Sequence, residues 1–143
     1  MDVFSSLKIS ASALEAQQIR LNTISSNLAN IETTRTPEGG PYRKRDVVFK
    51  AERPDFAKEL DGRMRDQVRT VRVSEIRPNS KPFTVVYDPS HPDANDKGMV
   101  EKPNINLMEE TVDMMNASRA YDANVTAIKA AKRMALKALE IGR

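Results

Sequence analysis

Between Val3 and Asn30 the chain contains neither proline nor glycine, and Leu7, Leu14, Leu21 and Leu28 recur every seven residues. That period marks one face of a helix, predicted to run from the N-terminus to about residues 30–34. Phe4, Ala11, Ile24 and Ile31 widen the apolar stripe, while Gln17, Gln18, Arg20 and Asn22 supply a polar side. The run Thr33-Thr34-Arg35-Thr36-Pro37-Glu38-Gly39-Gly40-Pro41 then stops the helix with β-branched residues, two prolines and a glycine pair. A second helix is predicted from Asn106, a good N-cap with Glu109 three residues on. Along it Leu107, Met114, Tyr121, Ile128 and Ala135 repeat every seven residues, with Val125 and Leu139 at a complementary offset, an a/d seam. Glu109, Glu110 and Asp113 crowd its start and Lys129, Lys132, Arg133 and Lys137 its end, as the helix dipole favours. At 1.5 Å per residue the two helices are roughly 40 and 50 Å long.

The intervening segment has a different texture. Val47-Val48-Phe49, residues 68–73 and Phe83-Thr84-Val85-Val86-Tyr87 are β-rich and separated by turn formers, which predicts a small antiparallel β unit. Tyr42, Phe49, Phe56, Phe83 and Tyr87 supply its aromatics. Some 60 residues make a marginal core, so this unit is expected to lean on the helices. Residues 51–67 are so charged that an exposed loop is expected there. The organisation read from the sequence is a mainly α fold with a small β insert. Residues 1–34 and 106–143 form an antiparallel coiled coil, and residues 35–105 form a linker and a small antiparallel β domain between them.

Composition narrows this further. The 143 residues are 39% apolar but only 5% aromatic, without tryptophan, against 30% charged. That is too apolar for a disordered chain and poor in bulky core residues, which favours a thin, elongated architecture. Net charge is only +3, no cysteine is present, and no apolar run reaches the roughly 20 residues that span a bilayer. The first residues lack the basic start and uninterrupted apolar core of a cleaved secretory signal. The helix pair leaves Ile24, Ile31, Met115, Met134, Ile141 and an alanine face of Ala117, Ala120, Ala127, Ala131 and Ala138 in need of neighbours, an expectation of lateral packing between subunits.

Catalytic chemistry has little to stand on. His91, the single histidine, sits between Pro89 and Pro92 without a serine or cysteine constellation. The stretch from Asp93 to Gly98 is similar to a calcium loop with glycine at position six, but position twelve is Asn104 instead of glutamate, so a turn accounts for it better. No Walker loop or Rossmann fingerprint occurs, and neither an enzyme nor a cofactor is expected. Nucleic-acid binding competes through Arg43-Lys44-Arg45 and Arg63, Arg65, Arg69, Arg72 and Arg77, diluted by nearby acids. A coiled-coil adaptor is the other alternative.

Two motifs sharpen the choice. Ser25-Ser26-Asn27-Leu28-Ala29-Asn30-Ile31-Glu32-Thr33-Thr34-Arg35-Thr36-Pro37 and Arg119-Ala120-Tyr121-Asp122-Ala123-Asn124 resemble the paired signatures of the flagellar basal-body rod protein family. Residues 36–44, residues 87–94 and Pro103-Asn104-Ile105-Asn106 resemble its proximal-rod members. The resemblance implies a rod subunit that polymerises through its terminal helices into the drive shaft across the periplasm, exported without a cleaved signal. Implied partners are its own copies, other rod proteins, the inner-membrane ring, the distal rod and the export apparatus, with neither nucleic acid nor a small-molecule substrate. The candidate subunit-packing residues are Leu7, Leu14, Leu21, Leu28, Asn27, Asn30, Leu107, Met114, Tyr121, Asn124, Val125, Ile128 and Leu139.

Overall fold

The computed structural model describes residues 3–52 and 69–141. Helix α1 spans Val3–Ala29 and helix α2 spans Leu107–Ile141, and the two pack against each other. Asn30 ends α1: its Nδ2 donates to the Ser26 carbonyl at 2.8 Å, and Thr33 Oγ1 donates to its Oδ1 at 3.2 Å. The first of these bonds gives the Ser26 carbonyl, which also accepts Asn30 N–H at 3.2 Å, a second donor from the side chain, and the second fixes the amide's orientation. The chain then reverses through Gly39 and Gly40, both at positive φ, where only glycine is unstrained. Tyr42 N–H returns to the Thr33 carbonyl at 3.0 Å, which closes the loop. At the other helix Asn106 Oδ1 accepts from Met108 N–H at 2.9 Å, the N-cap geometry its position predicts.

The β segment forms two separate two-stranded antiparallel sheets where the sequence predicts one small unit. Strand β1 (Arg45–Glu52) pairs with β2 (Thr70–Pro78), and β3 (Thr84–Tyr87) pairs with β4 (Met99–Lys102), a strand the periodicity did not reveal. The β1–β2 register shifts between Val48 and Phe49, where Ser74 is the extra residue of a bulge. This sheet lies on α1, with Val71 N–H donating to Ser12 Oγ at 3.2 Å. A two-stranded ribbon is too small to stand alone, so it takes its stability from the helix. The charged loop expected over residues 51–67 lies, beyond Glu52, outside the described residues.

The β3–β4 pair is anchored by Val100, which is buried while all of β3 is exposed. Its connection is a turn organised by Asn95, whose Oδ1 accepts from Lys97 and Met99 N–H at 2.9 and 3.0 Å. Gly98 has φ +73°, and a Cβ there would stand 2.9 Å from Tyr87 Cε2. His91 belongs to the same turn, its Nδ1 accepting from Asp93 N–H at 3.1 Å. Two links tie this sheet to the exit of α1: Thr34 Oγ1 to Asp93 at 2.8 Å and Lys102 Nζ to Glu32 at 2.7 Å.

The most buried helix positions are not the leucines. On α1 they are Ala16, Thr23, Ile24 and Asn27; on α2 they are Glu110, Ala117 and Ala131. Ile24, Ala117 and Ala131, expected to need outside neighbours, are therefore covered within the chain. Small side chains sit deepest because they let two helix backbones approach closely. Met115 and Met134 remain exposed, as do Ala127 and Ala138.

Candidate functional site

At the end of α1 an asparagine amide faces the first turn of α2 across the start of β1. Asn27 is 1% exposed, and its amide is fully engaged. Nδ2 donates to the Arg45 carbonyl at 3.0 Å and to Glu110 Oε2 at 3.1 Å. Oδ1 accepts from Arg45 N–H at 3.0 Å and from the Tyr42 hydroxyl at 3.2 Å. Two donors and two acceptor sites are the whole inventory of an asparagine side chain, so one residue clamps β1 by both backbone groups and reaches α2 as well.

Glu110 is completely buried. Its Oε1, which has no other partner among the described residues, lies 2.6 Å from Lys44 Nζ. Burial pulls the Lys44 ammonium towards its neutral form. The hydrogen bond and charge of Glu110, helped by Asp46 and Glu109, outweigh this and hold the amine above its ordinary value. Arg20 and Asp113 add a half-exposed ion pair at 3.3 Å between the same two helices. Exposed pairs of that kind contribute at most about 1 kcal/mol, whereas stranding one partner of a buried pair costs about 3–5 kcal/mol. The energetic weight of the junction therefore rests on Asn27, Lys44 and Glu110.

Each side chain of the basic triplet at residues 43–45 has a partner within the chain, although Arg43 and Arg45 are exposed. Arg43 stacks 4.3 Å above the Phe83 ring, Lys44 faces Glu110, and Arg45 lies 5.8 Å from the Tyr42 ring centroid. Farther along, Arg72 pairs with Glu52 and Arg77 with Glu75 at the surface. Among the described residues no three histidine, aspartate or glutamate side chains converge in a way that could hold a metal.

Of the thirteen candidate packing residues, only Asn27 is fully buried. Leu7, Leu14, Leu21, Leu28, Asn30, Met114, Tyr121, Asn124, Val125 and Ile128 are half-buried, and Leu107 and Leu139 are exposed. Asn124 donates to the Ala120 carbonyl of its own helix at 2.8 Å and not across the seam. Sequence reasoning missed Tyr42, Lys44 and Glu110 as members of the junction. The available signal was Glu110 itself, which stands one heptad before Ala117 and in line with Asn124 and Ala131. A carboxylate on that line has to find a cation.

Two long terminal helices, tied at one end by a buried polar junction and carrying large apolar side chains in water, define a structural protein built to pack with others. Residues 7–35 match the family model described as flagella basal body rod protein, and residues 96–141 match that of the flagellar basal body rod FlgEFG protein C-terminal region. The flagellar basal-body rod protein FlgC of Bacillus subtilis is 44% identical over 150 aligned positions, covering all of both chains. FlgC of Borreliella burgdorferi is 42% identical, covering 99% of this chain and 98% of the relative, and FlgC of Salmonella typhimurium is 37% identical over 94% of each. The chain belongs to the FlgC family of flagellar basal-body rod proteins and is a structural subunit of the bacterial flagellar rod. The two matched segments hold the two ends of the junction, Asn27 in one and Glu110 in the other; Tyr42 and Lys44 come from the stretch between.

Proposed function

We propose that α1 and α2 pair as an antiparallel coiled coil, and that the apolar side chains left exposed on α2 dock on copies of the chain and on other rod subunits. The sense of the contacts supports the pairing. Asn27 reaches Glu110, while Arg20, earlier on α1, reaches Asp113, later on α2. Val3 lies 24 residues before Asn27, so in such a pair α1 begins opposite about residue 134 of α2 and the last turns of α2 extend beyond it. Those turns carry Met134, Leu136 and Leu139, all exposed. The other end of α2 carries Leu107, Met108, Val112 and Met115, also exposed.

These unpartnered side chains at both ends of one helix are the observation that carries the reading. Burying each in an interface is worth roughly 1.5–3 kcal/mol, so many parallel contacts make a stiff tube without one strong bond. In this reading the tube is the drive shaft across the periplasm, and the chain reaches it through the flagellar export apparatus. Its neighbours there are its own copies, other rod proteins, the inner-membrane ring and the distal rod. The pairing of Lys44 with buried Glu110, and of Arg72 and Arg77 with neighbouring glutamates, weighs against a nucleic-acid role.

The test is Met115→Asp, chosen because Met115 is 51% exposed in the chain. The variant is expected to keep the helical content and urea midpoint of the unmodified protein, yet to be missing from isolated hook and basal-body particles and to leave cells non-motile. Normal swimming with the variant in place would remove this face from the assembly.

A further inference from the structure

The leucine spacing leaves the alignment of α1 with α2 open. Sliding one helix by a heptad replaces Leu21 with Leu14 or Leu28, and the deepest contacts involve small residues such as Ala16, Ala117 and Ala131. Apolar contacts of this kind discriminate weakly between registers, and a single buried polar position is the known remedy. Asn124 is half-buried and its Nδ2 donates to the Ala120 carbonyl of its own helix, so the bond seen there does not cross to α1. The junction does not repeat. One heptad from Asn27 stand Arg20 and Thr34, and one heptad from Glu110 stand Pro103 and Ala117.

From this we infer that the Asn27–Glu110–Lys44 junction is the register pin of the helix pair, setting α1 against α2 before any neighbour docks. The inference rests on the helix pairing proposed above and goes beyond it by assigning the alignment to three residues. Lys44 is fixed on the α1 side because its neighbour Arg45 is held by Asn27 through both backbone groups. A slipped α2 therefore carries Glu110 away from both Asn27 and Lys44, leaving its carboxylate without the two groups that satisfy it.

The chain contains no cysteine, so engineered pairs report cleanly. Arg20→Cys with Asp113→Cys replaces two side chains whose tips meet at 3.3 Å, a span suited to a short bismaleimide, while Arg20→Cys with Ala120→Cys marks positions one heptad out of register. In the purified full-length chain, cross-linking by a short bismaleimide is expected to favour the first pair over the second by more than about tenfold. Replacing the ion pair by Lys44→Met with Glu110→Met keeps the Asn27 bonds to Arg45 and supplies apolar side chains of similar size. Helical content should persist while the preference falls to within about threefold. Glu110→Gln, the milder change, should give an intermediate ratio. An undiminished preference in both variants, each folded by circular dichroism, overturns the register claim while leaving the pairing intact. No cross-link at either pair in the otherwise unmodified chain overturns the pairing itself, and the inference with it.

Discussion

Asn27 concentrates more of the fold in one side chain than any other residue described. Asn27→Ala removes the amide from the Arg45 backbone, the Tyr42 hydroxyl and Glu110 together. Leaving buried groups unsatisfied costs about 1–3 kcal/mol each and the losses overlap, so a total of about 3 kcal/mol is expected in urea denaturation. A loss below about 1 kcal/mol would show that water replaces the amide and that the clamp is dispensable. Lys44 gives a pH signature. Its folded-state value is raised, so its contribution to stability is complete below the ordinary lysine value near 10.5 and disappears as pH rises through the higher folded value. Lys44→Arg keeps the cation charged throughout, because guanidinium titrates above about 12. Stability measured across the alkaline range should fall more steeply for the unmodified chain than for Lys44→Arg; parallel curves would mean that the amine does not couple to folding.

At the scale of elements, the helices were legible because their signals are local. A stretch free of proline and glycine, a seven-residue repeat and an asparagine N-cap all lie within a few turns of one another. The strands were legible only in part. β4 has the short sequence Met99-Val100-Glu101-Lys102, whose alternation is too brief to separate from loop, whereas its partner β3 falls within the β-branched and aromatic run Phe83-Thr84-Val85-Val86-Tyr87. The leucine repeat and the deepest positions differ for a physical reason. Leucine periodicity marks the broad apolar face, but closest approach selects small residues, so Ala16, Ala117 and Ala131 are deepest while Leu14 and Leu21 flank them half-buried. The junction was the least legible feature, because Asn27, Lys44 and Glu110 are brought together from three distant segments and no local pattern links them. An element-scale prediction follows from the half-buried flanks. Leu21→Asp and Ile128→Asp each place a charge in a helix interface and should abolish rod assembly and motility. Normal swimming in both strains would contradict packing through these faces.

Taken as a whole molecule, the chain divides into a tied end and a free end. The Asn27 junction, the Asn30 stop, the glycine turn and the links from Thr34 to Asp93 and from Lys102 to Glu32 gather the starts of β1 and α2 and the β3–β4 sheet near the C-terminus of α1. The last turns of α2 have no comparable ties among the described residues and carry Met134, Leu136 and Leu139 exposed, the last at 72%. A shaft subunit needs both: one end that holds the chain in a single shape, and apolar faces that acquire their burial from neighbours. The central claim is that these faces are buried in the rod, and thiol labelling tests it directly. Met115→Cys and Leu136→Cys, each introduced singly into the cysteine-free chain, should react readily with a maleimide in the purified protein and be protected in intact hook and basal-body particles. Equal labelling in the free chain and in the particles would contradict the account.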